Sequence, residues 1–253
     1  SERIKHEFLK ALAGPRGSEF FLLLDNAGYI REVFGNTLRD KARAFLPGSV
    51  RHADLVLEDA GRTLPGIGLH FHQELEHDMT RAIAFRIAAF LFPGYNEQPS
   101  DECDPFNVPM ARLALSAKSS RTIHGTVAGA CRVLGLAGES RCTGSDMYRV
   151  LSDHDGHIPE ILLMALASGM GEPTGASSSL RKACSELWEF AQGQYRMQKT
   201  GPLLSGKDIL DSTGIPPGPM VGRLLRQVEE ARADGLIRSR REAFSYLRKL
   251  YRS

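Results

Sequence analysis

The sequence has no apolar run approaching ~18 residues, so no segment is long enough to read as a membrane-spanning helix. Cysteine is scarce. Cys103, Cys131, Cys142 and Cys184 are too widely spaced for a CxxC knuckle and too few for a disulfide scaffold, which points to a reducing, cytoplasmic setting. Period-2 alternation is also missing: no strand-like run exceeds four residues, and no repeat of fixed period is visible. The expected architecture is therefore all-α and multi-helical. There is no P-loop and no Ser/His/Asp arrangement. A formal net charge of only +2 excludes a whole-protein polyelectrolyte. The chain opens on Ser-Glu-Arg, with no initiator Met and no charged-then-apolar leader. A fragment or processed chain without a secretory signal is the expectation.

What is present is an ordinary globular composition, 42% hydrophobic and 25% charged, over 253 residues. That length suits one large domain or two to three small ones. Charge is uneven along it. From Arg196 onward there are 12 Lys/Arg against 6 Asp/Glu, while the preceding residues hold 20 against 24. A basic tail on a mildly acidic body is the pattern of a local phosphate-contacting surface, although on charge alone a solvated face accounts for it equally well.

The stretch from Gly201 to Arg241 carries the densest local signals. Ser205 is a candidate N-cap with Asp208 three residues on, and Gly214 closes the helix they start. Pro216-Pro217-Gly218-Pro219 permits only a tight turn, with Pro219 suited to the first turn of the next helix. Val221, Leu224, Leu225 and Val228 then bury one face, with Arg223, Arg226 and Glu230 placed away from it, and Gly235 stops the helix.

Upstream, residues 2–35 read as two or three short helices broken at Gly14-Pro15-Arg16-Gly17 and turned at Asn26-Ala27-Gly28. Arg39–Leu46 and Leu55–Ala60 are weakly helical, and Gly61, Pro65, Gly66 and Gly68 mark a loop. Met79, Ile83, Ile87 and Leu91 at i+4 steps predict a long helix over Phe71–Phe92, stopped by Pro93-Gly94. Tyr95–Pro109 reads as a polar loop, Ala111–Leu134 and the segments around Tyr148 and Ile161–Ala167 as helices. Thr174–Ser179 reads as a Gly/Ser linker, and Ser185–Met197 as a helix.

Pro202, Leu203, Leu204, Gly206, Asp208, Ile209, Gly214, Ile215, Pro217, Gly218, Pro219, Gly222, Leu224 and Leu225 appear in one order. Glu230-Ala231, Gly235-Leu236-Ile237 and Arg241-Glu242-Ala243 follow. This ordered set resembles the C-terminal part of bacterial tRNA nucleotidyltransferases and poly(A) polymerases. Glu2, Arg3, Ile4, Glu7, Leu23, Leu24, Gly28 and Ile30 are similar to that family's neck, and Arg112, Leu113, Leu115, Ser116 and Lys118 to a further family segment. Met147-Tyr148-Arg149 and Ile161–Ala167 continue the match. The resemblance implies neck helices over 1–45, an HD-like helical body over 46–180 and an RNA-binding tail over 181–253.

The family's catalysis is two-metal phosphoryl transfer, with a Gly-Ser turn and a D-x-D pair on a strand. Neither is found here. Asp101-Glu102-Cys103-Asp104 sits in a proline-bounded loop, and so does Asp153-His154-Asp155 in a turn with Gly156. The resemblance thus implies a module that engages tRNA while a head domain outside this sequence holds Mg²⁺ and ATP or CTP. The chain alone is expected to add no nucleotide. Its RNA contacts are expected at Lys207, Gly218, Arg223, Arg226, Arg238, Arg240 and Arg241, because RNA backbones are met by cations and exposed N–H groups.

The alternative is a diverged HD-type phosphohydrolase acting on a nucleotide or phosphorylated small molecule. Against it, Ala88-Ala89-Phe90-Leu91-Phe92-Pro93 stands where the family pattern ends in His-Asp, and neither Phe92 nor Pro93 can bind a metal. A second metal hypothesis rests on His70, His72 and His77. If residues 70–78 are helical, His70, Glu74 and His77 share a face, yet HExxH is absent, and no bound metal is expected.

Overall fold

The computed structural model describes residues 2–34, 40–96, 107–139, 142–170 and 174–252. In chain order the helices are α1 (Glu2–Leu12), α2 (Glu19–Asn26), α3 (Ile30–Phe34), α4 (Asp40–Glu58), α5 (Ala60–Thr63), α6 (Arg81–Asn96), α7 (Asn107–Arg112) and α8 (Ala117–Gly138). They continue with α9 (Gly144–Asp153), α10 (Ile158–Gly169), α11 (Thr174–Phe190), α12 (Arg196–Thr200), α13 (Gly206–Thr213), α14 (Pro219–Ala233) and α15 (Arg240–Arg252). Between α5 and α6 lie a 3₁₀ turn at His70–His72 and the antiparallel strands β1 (Glu74–Glu76) and β2 (Met79–Thr80). The fold is all-α. It divides into two compact units, residues 1–138 with 156–184, and residues 139–155 with 185–253.

In the first unit α6 is the central element. From Ile83 to Pro93 every residue is buried, as expected of a helix that is apolar all round. Phe90 stacks on Phe21 with ring centroids 4.4 Å apart and meets Phe34 at 4.5 Å, while Phe8 packs edge-on against Phe34. These rings bring α1, α2 and α3 onto α6. One charge interrupts the apolar run. Arg86 donates from Nε to Asp54 Oδ1 at 2.7 Å and from Nη1 to the Leu12 carbonyl at 2.8 Å. Asp54, on α4, also accepts from the backbone and hydroxyl of Ser18. α8 crosses α10 closely because Gly129 has no side chain: a Cβ there would lie 2.4 Å from the Ile161 side chain.

Four expectations are corrected by these elements. The long helix predicted from Phe71 begins only at Arg81, because Glu76 pairs with Met79 across a two-residue turn, His77-Asp78. Asp78 takes the left-handed conformation (φ 61), which a short polar side chain tolerates. The same helix is not stopped by Pro93 but runs on to Asn96. Proline lacks the N–H that would bond Ala89 O, and Ser49 Oγ from α4 donates to that carbonyl instead, at 2.6 Å. α4 itself is one helix rather than two weak ones, with Pro47 exposed on its solvent side. The Thr174–Ser179 linker is the first turn and a half of α11. Of the Tyr95–Pro109 loop, residues 97–106 lie outside the described residues, and Pro109 falls within α7.

In the second unit α9 lies against α14. Gly144 makes that approach possible, since a Cβ there would sit 2.1 Å from the Ala233 carbonyl oxygen. A capping box between Thr143 and Asp146 starts α9, and Asp234 Oδ1 accepts from the Ser145 N–H at 2.7 Å. Beyond Phe190 the helical path continues through a single π turn, Ala191–Tyr195, into α12. From there Gln194 Nε2 reaches the Arg232 and Ala233 carbonyls, and the Tyr195 hydroxyl donates to the Leu151 carbonyl. α13, α14 and α15 share a small core of Leu204, Ile209, Leu224, Val228, Ala231, Ile237, Ala243 and Leu247.

Candidate nucleic-acid interface

The tail forms as its local signals require. Ser205 accepts from the Asp208 N–H at 3.2 Å while Asp208 Oδ2 accepts from the Ser205 N–H at 2.8 Å, a complete capping box at the start of α13. Gly214 closes α13 with φ 70, a left-handed position that glycine takes without strain. Pro219 occupies the first turn of α14, and its N-cap, Gly218, is exposed and has no side chain to cap the helix. The start of α14 therefore presents its first-turn N–H groups uncapped by any side chain.

Three helix starts are neighbours here. A Cβ on Gly206, the first residue of α13, would lie 3.7 Å from Val221 Cγ1 in the first turn of α14. Arg240, the first residue of α15, places Nη2 2.6 Å from Asp208 Oδ1. Each start carries the positive end of a helix dipole. The Ser205 hydrogen bonds, with Arg240 beside them, hold the Asp208 carboxyl below the ordinary aspartate value.

The seven sequence-selected residues fall into two groups. Lys207, Arg223, Arg238 and Arg241 are exposed, and among the described residues none has an ion-pair partner. Gly218 lies in the turn between Lys207 and Arg223. Arg226 and Arg240 are engaged within the protein. Arg226 is held between Asp153 (2.8 Å) and Glu230 (3.1 Å), and Arg240 pairs with Asp208 while its guanidinium lies 5.5 Å over the Phe244 ring. Glu230, placed on the outer face by sequence spacing, is instead buried and also accepts from Arg149 at 2.7 Å. Burial would raise its pKa, but Arg149 and Arg226 outweigh burial and hold it below the ordinary glutamate value.

The histidine cluster is dispersed. Residues 70–78 are a 3₁₀ turn and a hairpin rather than a helix, so His70, Glu74 and His77 share no face. His72 and His77 are exposed. His77 lies 3.4 Å from Asp78, whose carboxylate also meets His6 Nδ1 at 2.8 Å. His70 turns inward, its Nε2 3.0 Å from Glu160 Oε1 but off the line of a hydrogen bond. Among the described residues no three His, Cys, Asp or Glu side chains converge as a metal site would need. Phe92 and Pro93 are buried in α6. Asp153 and Asp155 flank a turn and are paired with Arg226 and Lys199, while Asp101-Glu102-Cys103-Asp104 lies outside the described residues.

Sequence reading missed the most buried ionic group. Glu160, on α10, is wholly inaccessible and accepts from Arg81 Nη1 at 2.5 Å, with Arg81 also donating to the Gly156 carbonyl. Burial opposes its charge, yet His70 and Arg81 hold its pKa below the ordinary glutamate value. The only local trace was Pro159-Glu160 at a helix start, which reads as a dipole-favoured surface acid. Burial pushes the Cys131 thiol up to about 11 and the Cys184 thiol up to about 12, away from the thiolate form. Among the described residues no helix is long and apolar enough to cross a membrane.

No protein-family model matches the chain. Curated relatives do. A CC-adding tRNA nucleotidyltransferase of Synechocystis sp. is 25% identical over 254 residues, covering 100% of this chain and 56% of the relative. A CC-adding tRNA nucleotidyltransferase of Geobacter sulfurreducens is 23% identical over 251 residues, 98% of this chain and 54% of the relative. An A-adding tRNA nucleotidyltransferase of Deinococcus radiodurans is 44% identical over 95 residues, 36% of this chain and 22% of the relative. The chain spans about half the length of the first two.

Proposed function

We propose that this chain, related over its whole length to CC-adding tRNA nucleotidyltransferases, binds tRNA through the start of α13, α14 and α15 and positions its 3′ end for nucleotide addition. The addition itself is assigned to a head domain outside this sequence, where Mg²⁺ and ATP or CTP belong. The observation that carries the reading is the grouping of four unpaired cations, Lys207, Arg223, Arg238 and Arg241, around three neighbouring helix starts. Duplex RNA displays phosphates and 2′-hydroxyls over a wide, shallow minor groove, so a protein serving many tRNAs is best met by cations and N–H groups without base reading. Arg226 has a different part. Its two carboxylate partners fix it within the protein, so it shapes the surface rather than lending a free charge.

The test separates free cations from engaged ones. Arg223→Ala with Arg241→Ala is expected to weaken tRNA binding at low salt and to flatten its log–log salt dependence. The slope should fall by about 0.7 to 0.9 for each phosphate that the variant no longer neutralises. Helicity and thermal midpoint stay unchanged, because neither side chain has an internal partner among the described residues. Unchanged affinity and unchanged slope in the double variant would remove this surface from consideration.

A further inference from the structure

Beside the helix starts lies an open cleft of about 510 Å³, walled by Tyr148, Leu204 and Leu225 and edged by Gly206 and Gly222. That volume is within the range of small-ligand sites. On it lies Gln198, only 2% exposed, whose Oε1 is buried without a hydrogen-bond partner. The orientation of that amide is fixed by its other end. Nε2 donates to the Glu229 carbonyl at 3.2 Å, and a flipped amide would set two carbonyl oxygens against each other. The neighbouring Glu229 carboxylate is already committed to the Leu203 N–H and Arg232. A buried acceptor left open is costly unless a ligand or solvent donor meets it.

The occupant these features describe has flat apolar faces, an N–H donor on one edge, and an anionic attachment. Tyr148 offers an aromatic surface, held edge-on by Tyr195 with ring centroids 5.7 Å apart. Lys199 and Arg226 line the same cleft but are paired with Asp155 and Asp153, so the free positive charge beside it is that of Lys207 and Arg223, the sequence neighbours of Gly206 and Gly222. Gly206 and Gly222 belong both to the cleft and to the first turns of α13 and α14, so the cleft opens where the exposed cations gather. We propose that the cleft receives one unpaired nucleobase of the bound RNA, its ring beside Tyr148 and its donor edge turned to Gln198, whose Oε1, closed to solvent here, is exposed by a small shift of the side chain. Unpaired RNA bases are recognised in this way, by aromatic stacking and hydrogen bonds to their edges. The inference rests on the RNA-binding reading above and adds a base-contacting element to an otherwise backbone-directed surface.

Gly222 supplies the test, because a Cβ there would meet nothing within 4 Å. Gly222→Leu adds a branched side chain at the cleft's edge, at a position whose Cβ meets no neighbour, and Gly222→Ala serves as the small control. In the parent chain and in Gly222→Ala, adenosine and cytidine monophosphates are expected to shift the NMR signals of the Gln198 side-chain amide and the Tyr148 ring. In Gly222→Leu these shifts disappear. Gly222→Leu is also expected to bind tRNA roughly tenfold more weakly with an unchanged salt slope, since a stacked base releases no counterions. Parental tRNA affinity in Gly222→Leu overturns the proposal. If the parent chain binds no tRNA at all, the RNA-binding reading fails by itself. The mononucleotide titration then decides the cleft: shifts at Gln198 and Tyr148 sustain it, and their absence ends it.

Discussion

In the first unit, charges are turned inward: Asp54 with Arg86, and Glu160 with Arg81 and His70, each set among apolar helices. In residues 201–252 the exposed cations Lys207, Arg223, Arg238 and Arg241 face outward, while the helix start at Ser205 is sealed by a partner only three residues away. The first arrangement joins elements far apart in sequence, Asp54 to Arg86 and Ser49 to Ala89, so it specifies how helices pack. The second completes each helix locally and leaves charge available for a ligand. A substitution in the first group should cost stability, and one in the second should cost affinity.

The largest expected effect falls on the inward charges. Asp54→Ala leaves the Arg86 guanidinium buried without its carboxylate and strips Ser18 of two hydrogen bonds. Removing one partner of such a pair typically costs about 3–5 kcal/mol, to be read from the midpoint of urea denaturation. A loss below about 1 kcal/mol, the scale of an ordinary helix cap, would erase the distinction between the two regions.

Ser49→Ala is the next sharpest probe. It removes the hydroxyl that donates to the Ala89 carbonyl, already deprived of its i+4 N–H by Pro93, at a cost of about 1–3 kcal/mol. The local counterpart, Ser205→Ala, is expected to cost about 1 kcal/mol as an ordinary lost cap. Equal losses at both sites would show that the long-range bond adds nothing to the local kind.

Acid titration gives the smallest and most gradual signal. The folded-state pKa of Glu160 is held below the ordinary value of 4.5, so the unfolded chain binds its proton first as pH falls. The stability from this group is complete above pH 4.5 and is lost as pH drops through the folded pKa, with a slope of at most about 1.4 kcal/mol per pH unit. Glu160→Gln is expected to remove this acid limb while lowering stability at neutral pH. An unaltered pH profile would mean that Glu160 does not hold its charge in the fold.

Sequence legibility followed the same division. The tail could be read almost residue by residue, because Ser205, Asp208, Gly214, Pro219 and Gly235 each act on their own backbone. The body hid what depends on distant partners. Pro93 looked like a terminator because the hydroxyl that compensates for it sits on Ser49, 40 residues before the carbonyl it serves. Met79 kept the i+4 spacing of the following helix while lying in a strand, paired with Glu76 across a turn in which Asp78 takes φ 61. Arg226 and Glu230 looked like an outward-facing pair, and spacing alone gave no hint that Arg149 and Asp153 would enclose them. Gln198 sits in an ordinary polar helix, Gln194-Tyr195-Arg196-Met197-Gln198-Lys199, with nothing local to mark an acceptor without a donor.

The π turn at Ala191–Tyr195 bears on how this stretch tolerates changes of length. In a plain α-helix, dropping one residue swings everything downstream by roughly 100°. A π turn already contains one surplus residue relative to that path. Losing Gly193, whose position has nothing within 4 Å of a Cβ, would let the hydrogen bonds revert to the α spacing while the flanking segments keep their phase. Between Ser185 and Thr200 this is the slot where the chain can shed a residue and still deliver Tyr195 and Gln198 to α9 and α14.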